Sequence, residues 1–267
     1  MLMAVKNYFR FFKESLKCNM ASLLEYKKSF LIQSIFMFVN NGFFLIFWSV
    51  LFNASGGDIK GVNMGDILYL WSLPTLSFGI AFFFFGGINK LGKHILEGGL
   101  DTYLVQPKNV MINVMLSGMD FSACGDLVYG LVIGLFATGF NFGKYMLLLA
   151  YGLVGAIFFV CAEALIRLIT VWVGNTDYVE HIYMITMTVN FSTYPEAIYN
   201  NFIKILIYTI IPSGYIAFMP IKLIEVFNLK LFGVYLLAVC GFVGITAILS
   251  KIMLKKYESG NSMAMRG

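Results

Sequence analysis

The sequence predicts an all-α, polytopic membrane protein with six transmembrane helices. Of its 267 residues, 59% are hydrophobic and only 12% are charged, whereas soluble domains carry about 25% charged residues. The lysines gather near the ends of the chain and in short segments between long apolar runs. Because positive residues of this kind mark cytoplasmic segments, the net charge of +5 indicates membrane topology rather than nucleic-acid binding.

The sequence is expected to form a single membrane domain over residues 1–267. Residues 1–28 alternate aromatic and basic side chains, which predicts an amphipathic helix in the membrane interface. Anchoring alone and docking of a partner are both open as its role. The first span is predicted at residues 30–52. An outward loop at 53–65 leads to the second span at 66–88, where a proline and a glycine allow bends.

The most polar interior segment, residues 89–110, follows the second span. Its basic side chains are typical of a cytoplasmic segment: Lys90, Lys93, His94 and Lys108. Periodicity predicts a short helix at 95–104, with one apolar face formed by Ile95, Leu96, Leu100 and Leu104. Gly98 and Gly99 are expected to interrupt this helix, and Pro107 to end it.

The third and fourth spans are predicted at residues 111–139 and 145–173. Glu163 and Arg167 lie in the fourth span at a spacing of four, which brings opposite charges together on one helix face. Ionisable residues at membrane depth are candidates for a functional site. Two interpretations are open: a pair that only fixes helix packing, and a pair with a functional role.

Prolines disturb the pattern in the last third of the chain. The apolar stretch 178–192 is barely long enough to cross and is the fifth of the six spans, and a second short helix is predicted at 197–211. The prolines around that helix predict a re-entrant hairpin over 193–225 in the outer leaflet, with these break and turn residues: Tyr194, Pro195, Pro212, Gly214 and Pro220. The last span is predicted at 230–254, with glycines for close helix contacts, and both termini are expected in the cytoplasm.

Sequence patterns for catalysis are missing. There is no G-x-x-x-x-G-K-[ST] loop and no dinucleotide-binding fingerprint. The two histidines, His94 and His181, have no companions at metal-ligand spacing, and the four cysteines form no disulfide or metal pattern. The chain is therefore expected to be non-catalytic, to bind no metal or cofactor, and to take energy from another protein.

Three motifs resemble permeases of the type-2 exporter class of ABC transporters, and the order of elements is similar along the whole chain. The first motif is GGLDTYLVQP at 98–107, which resembles the G-x-L-D-x-x-L-x-x-P motif of a bacterial subfamily of about this length. The second is YPEAIY at 194–199, similar to the opening of that subfamily's hairpin. The third comprises IPSGY at 211–215 and FMP at 218–220. Gln106 departs from the pattern, which usually has a basic residue there.

The resemblance implies the permease subunit of a bacterial plasma-membrane exporter. Residues 89–110 would form a coupling segment seated in a separate ABC ATPase, with contacts from Gly98, Gly99, Leu100, Asp101, Tyr103, Leu104 and Pro107. Two ATPase copies would bind ATP and Mg²⁺, and a second permease, identical or related, would complete the complex. The implied path for a lipophilic or amphipathic substrate includes Asn40, Asn41, Phe44, Phe78, Phe82 and Tyr183.

Two other classes of membrane protein stay open. A secondary transporter or channel would use intramembrane acids such as Asp120 and Asp126 beside broken helices, although no internal repeat is visible. An assembly or immunity factor would need no segment shaped for a motor subunit. Co-purification with a nucleotide-binding ATPase distinguishes these classes from an ABC permease.

Overall fold

The computed structural model describes residues 2–57 and 61–258, and within them every regular element is a helix. The α-helices of this part are α1 (Leu2–Glu25), α2 (Lys27–Ala54), α3 (Met64–Phe85), α4 (Leu91–Leu96), α5 (Asp101–Leu104), α6 (Val110–Met115), α7 (Ala123–Ala137), α8 (Phe142–Val173), α9 (Asp177–Ile185), α10 (Asn201–Thr209), α11 (Met219–Glu225) and α12 (Leu229–Lys256). Shorter 3₁₀ and π-helical turns cover Gly86–Lys90, Thr186–Asn190, Glu196–Ile198 and Gly214–Phe218. The start of the predicted interfacial segment, Met1, and residues 58–60 of the predicted outward loop lie outside the described residues, as do 259–267.

Four helices in this part of the chain are long and apolar enough to cross a membrane: Lys27–Ala54, Met64–Leu96, Phe142–Val173 and Leu229–Lys256. α10 and the stretch Gly214–Glu225 are together long and apolar enough to cross a membrane, but the second is bent by 81° relative to the first. That geometry is either a broken span or a re-entrant loop. The all-helical membrane fold is confirmed, whereas the number of six spans stays a prediction.

The predicted third span, residues 111–139, is wrong as a continuous helix. It divides into α6 and the 15-residue α7, joined by a link without regular helix. The link is bonded to the end of α3, since Gly87 N–H donates to the Gly118 carbonyl at 2.9 Å and Asp120 N–H donates to the Phe82 carbonyl at 3.0 Å. These partners are distant in sequence, so the apolar pattern alone did not indicate the break.

α3 lies at the centre of the fold and packs most extensively against α7 and α8. Glycines on both neighbours allow this close approach. A Cβ atom on Gly130 of α7 would lie 2.5 Å from the Leu76 nitrogen, and one on Gly152 of α8 would lie 2.6 Å from the Leu76 side chain. Small residues at helix interfaces bring backbones together in membrane proteins. This packing fixes α3, which leads directly into residues 89–110.

α2 and α12 lie at the periphery. Only 17% of the most apolar stretch of α2, and 11% of that of α12, is buried inside the structure. The glycines of α12 were predicted to allow close helix contacts. Nothing in the described chain lies within 4 Å of a Cβ built on Gly233, Gly241 or Gly244. That prediction is therefore wrong within this chain, because α12 packs through other faces.

α2 is attached to α7 by a line of small and polar residues. A Cβ on Gly125 of α7 would overlap the Ser34 carbonyl oxygen of α2. The Ser34 hydroxyl donates to the Phe121 carbonyl at 3.3 Å, and the Tyr129 hydroxyl donates to the Asn41 carbonyl at 3.1 Å. Contact at Gly125 involves backbone atoms, so a larger residue there forces the two helices apart.

Gly125→Ala is expected to destabilise the protein by about 1–3 kcal/mol, the usual cost of overpacking a tight contact. Thermal unfolding in detergent measures the effect as a lowered melting temperature. Gly42→Ala is the matched control on α2, where nothing lies within 4 Å of the added methyl group, so it should leave the melting temperature unchanged or raise it by the helix propensity of alanine, about 0.5–1 kcal/mol. Equal melting temperatures for the two variants would contradict the packing described here.

α1 contacts the end of α3, the end of the segment 89–110 and the link that precedes α7. The Tyr8 hydroxyl accepts the Asn109 N–H at 3.1 Å, and the Ser15 hydroxyl donates to the Leu116 carbonyl. Phe12 stacks on an aromatic ring at the end of α3, with centroids 6.1 Å apart. α1 therefore contacts the chain on both sides of that segment, while its placement in the membrane interface stays a prediction.

The prolines of the predicted hairpin lie at its breaks. α10 is shorter than the predicted helix at 197–211 because Asn200 caps its start, accepting a backbone N–H at 2.9 Å through its side chain. Pro195 and Pro212 are buried at the two ends of this region, and Pro220 lies in the first turn of α11, where proline is tolerated.

Polar and aromatic contacts hold the hairpin against the bundle. Tyr194 packs on Trp48 of α2 with ring centroids 5.6 Å apart. Gly214 faces the Tyr208 ring, and an added Cβ would lie 2.6 Å from its Cδ1. Glu196 accepts from the Tyr208 hydroxyl at 3.1 Å and pairs with a lysine of α11 at 2.5 Å. The contact with Trp48 joins the hairpin to the bundle, the others hold the hairpin together internally, and its depth in the outer leaflet stays a prediction.

Candidate functional site

The predicted coupling segment, residues 89–110 and called the coupling segment below, consists of two short helices joined by a sharp turn. α4 ends at Leu96, and Gly98 has a φ of +76°, a conformation that favours glycine. The chain then reverses, with Leu100 N–H donating to the His94 carbonyl at 3.2 Å. The predicted interruption of the helix at the glycines is confirmed.

The single apolar face predicted for this segment is wrong. Ile95 and Leu100 are fully buried at 0% exposure, whereas Leu104 is 42% and Val105 is 85% exposed. Helical periodicity does not continue across the reversal at Gly98, so the residues beyond it point elsewhere. Leu100 is therefore an anchor in the chain's own core, and the outward pair forms what we call the Leu104–Val105 tip.

Short-range contacts stiffen the turn below the tip. A Cβ on Gly99 would lie 2.6 Å from Nδ1 of His94, so only glycine fits there without displacing the imidazole. The His94 and Tyr103 rings meet edge to face with centroids 5.2 Å apart. The Thr102 hydroxyl donates to the Gly99 carbonyl at 2.9 Å. The segment is held in one shape by its own residues.

Other parts of the chain also contact the coupling segment. Gln106 accepts from the Asn113 amide of α6 at 2.6 Å, which gives this departure from the family motif a local role. Burial, with a smaller effect from the charge of Asp101, raises the pKa of the Tyr257 phenol to about 12, which keeps the phenol neutral beside the segment just beyond α12. Pro107 is exposed and borders a groove of about 720 Å³ against α1.

Glu163 and Arg167 belong to a larger charge cluster beside the coupling segment. Arg167 Nε donates to Glu163 at 2.8 Å, and its terminal nitrogens donate to Glu180 at 2.9 Å and to Asp177. One guanidinium thus serves three carboxylates, and Oε2 of Glu163 is buried with no hydrogen-bond partner in the described structure. Gly92 of α4 packs on the Arg167 side chain, so the cluster joins α8 and α9 to the start of the coupling segment.

A cavity of about 140 Å³ lies between α2, α3, α7 and the turns after α9. Four residues predicted for the substrate path line it: Asn40, Asn41, Phe44 and Phe78. Two others do not line it. Phe82 packs on Phe159 in the core, with centroids 6.4 Å apart, and the Tyr183 hydroxyl donates to the Ile210 carbonyl at 2.5 Å. Passage of a substrate along any of these residues stays a prediction.

A family model described as ABC-2 family transporter protein matches residues 38–261. The chain belongs to the ABC-2 transporter family. This membership confirms the family resemblance and makes the chain a membrane transport component of a generally non-catalytic kind, and the family implies an ABC ATPase as its partner. The chain matches no curated protein and no solved structure.

Sequence reasoning about this ABC-2 permease overlooked several residues that the fold brings into these sites. Val105 had a usable signal, since it is an apolar residue in a polar stretch, directly after the predicted helix. Asp177 and Glu180 could also be recognised from the sequence, because both are acidic residues in the first turn of the helix that follows the span with Glu163 and Arg167. Asp126 was considered only for a rival class of transporter, and its place in the cavity depends on how three helices meet.

Proposed function

We propose that this chain is the permease subunit of an ATP-driven exporter that moves a lipophilic or amphipathic substrate across the bacterial plasma membrane. The Leu104–Val105 tip carries the proposal, because it presents exposed apolar side chains on a polar segment that is anchored in the core. An apolar helix end of this kind fits a hydrophobic groove on a partner protein. The ABC ATPase that the family implies is that partner.

The anchored shape of the coupling segment suits it to transmit movement. ATP and Mg²⁺ bind to two ATPase subunits, whose closure displaces the tips seated on them. The buried side chains of Ile95 and Leu100 transmit this displacement to the core. The Arg167 cluster contacts the same segment at Gly92. Substrate and ATP then act on one two-state assembly, as linkage between two binding sites requires.

The membrane topology in this proposal has six crossings, with both termini and the coupling segment in the cytoplasm. The four long apolar helices supply four of these crossings. α7 and the α9 region, although short, supply the other two, and the bent pair after them enters and leaves the outer leaflet. Lysines at positions 251, 255 and 256 support the cytoplasmic C-terminus.

A second permease, identical or related, completes the proposed complex. Support comes from α2, whose outward side displays large apolar side chains that nothing in the described chain covers: Phe36, Phe43, Ile46, Phe47 and Val50. The 140 Å³ cavity opens beside this surface at Asn40 and Phe44. A substrate path between two permeases would therefore run along α2.

Cysteine cross-linking tests the proposal. In a background in which Cys18, Cys124, Cys161 and Cys240 are replaced by serine, Val105→Cys should cross-link to the co-expressed ABC ATPase through a short bis-maleimide. Val226→Cys, at a comparably exposed valine before α12, should not. If Val105→Cys reacts with maleimide but never joins an ATPase that co-purifies, the coupling site is wrong. If no ABC ATPase co-purifies, the proposed function fails in favour of an ATPase-independent transporter.

A further inference from the structure

Two residues that line the 140 Å³ cavity, Asp126 and Trp71, each carry a buried polar atom without a hydrogen-bond partner in the described part of the chain. Asp126 is 4% exposed, and its Oδ1 accepts from the Asn41 amide at 2.6 Å. Its Oδ2 has no hydrogen-bond partner in the described part of the chain, and neither has Nε1 of Trp71. Since buried polar groups in native proteins are nearly always hydrogen-bonded, an unpaired acceptor and an unpaired donor on two lining residues of one cavity indicate a missing occupant.

A purely structural role explains the bonded oxygen of Asp126, Oδ1, but not the unpaired oxygen, Oδ2. Its contact with Asn41 ties α7 to α2, and the Tyr129 hydroxyl reinforces the same junction. An asparagine at this position would supply the same acceptor without a charge. Asp126 lies in the first turn of α7 but meets Asn41 halfway along the candidate span α2. An ionisable group inside a membrane is costly, and such residues usually face a cavity or a functional path. Asp126 forms no ion pair with any described residue.

The surroundings of this carboxylate suit a positive charge that carries an apolar tail. Phe44 and Trp71 stack beside the cavity with centroids 4.6 Å apart, and aromatic faces attract cations. Phe44 and Asn40 also line a second, more open groove of about 360 Å³, whose other walls are Phe43, Phe47 and Tyr194. A mainly apolar chamber with one acidic group therefore continues into an aromatic groove on the outer side of α2.

We propose that this cavity selects amphipathic ammonium compounds, with the ammonium group donating to Asp126 Oδ2 and the apolar tail lying in the aromatic groove. The inference rests on the proposed export function and narrows its substrate class. A hydroxyl or carbonyl group next to the ammonium would accept from Trp71 Nε1. Neutral and anionic amphiphiles of the same length leave the carboxylate unpaired or repel it, so they bind more weakly.

Binding is measured by isothermal titration of decylammonium, decanol and decanoate against the permease in phosphatidylcholine nanodiscs, with empty nanodiscs as reference. The wild-type chain should bind decylammonium at least tenfold more tightly than decanol, and decanoate more weakly still. Equal affinity for the ammonium and the alcohol overturns the proposal without any variant. The titration uses no ATPase, so a charge-selective site survives even if the coupling proposal fails.

Substitutions then locate the selectivity. Asp126→Asn keeps an acceptor for Asn41 and should lose at least tenfold in affinity for decylammonium, with less than twofold change for decanol. Asp120→Asn is the matched control, because that half-buried acid does not line the cavity and accepts from Ser122 instead. Asp126→Glu, which retains the charge, should retain the preference for the ammonium. Unchanged discrimination in Asp126→Asn, or an equal loss for both ligands, overturns the assignment.

Discussion

Val105→Glu is expected to lower the amount of ABC ATPase that co-purifies with the permease at least tenfold. Burying a valine side chain in an apolar groove contributes about 1.5–3 kcal/mol, and about 1.4 kcal/mol corresponds to a factor of ten in binding. A carboxylate in that groove adds a desolvation penalty. Because Val105 is 85% exposed in the isolated chain, its replacement leaves the permease itself folded. Quantitative pull-down and the ATP hydrolysis rate of the complex measure the effect.

The control for this experiment is Val226→Glu, which makes the same chemical change at a valine that is 74% exposed outside the coupling segment. It should retain wild-type capture of the ATPase. Leu104→Glu, on the same tip, should behave like Val105→Glu, since its side chain is also exposed. Wild-type capture and hydrolysis in both tip variants would remove this segment from the coupling mechanism.

Arg167→Met should cause the largest loss of stability, about 3–5 kcal/mol, because removal of one partner leaves buried charge uncompensated. Arg167 is the cation for Glu163, which is 0% exposed, and for Glu180, which is 17% exposed. Without it, these carboxylates face each other inside the bundle. Thermal unfolding in detergent, together with the yield of monodisperse protein, measures the loss.

The loss of stability on substituting each of the three acids should increase with the burial of its side chain. Asp177→Asn is the control, because its side chain is 71% exposed and exposed ion pairs contribute at most about 1 kcal/mol. Glu163→Gln combined with Arg167→Met removes both buried charges and should recover much of the stability lost in Arg167→Met alone. A destabilised Glu163→Gln variant with normal substrate response would support a packing role. A stable variant with altered substrate response would support a functional one.

The general architecture was largely predictable from the sequence. Long apolar runs located the helices because hydrophobic length is a local property that a membrane demands of each segment separately. Glycine and proline marked the turn at Gly98 and the hairpin breaks at Pro195 and Pro212 for the same reason, since both residues restrict or free the backbone where they stand. Asn41 of the predicted path lines the cavity and is buried, because amides within spans tend to face protein.

Contacts between distant residues decided the rest. The break before α7 depends on bonds from Gly118 and Asp120 to the end of α3. The outward direction of Val105 and the arrival of Glu180 beside Arg167 depend on how the chain reverses and which helices then meet.

The sequence by itself thus determined that the chain is helical, enters the membrane and resembles the ABC-2 family in its motifs. Only the tertiary structure decided which side chains of the 98–107 motif face outward and which buried acids keep an unpaired carboxylate oxygen. The physical reason is that hydrophobicity and turn propensity act along neighbouring residues, whereas exposure and hydrogen-bond satisfaction are set by residues brought together across the whole fold.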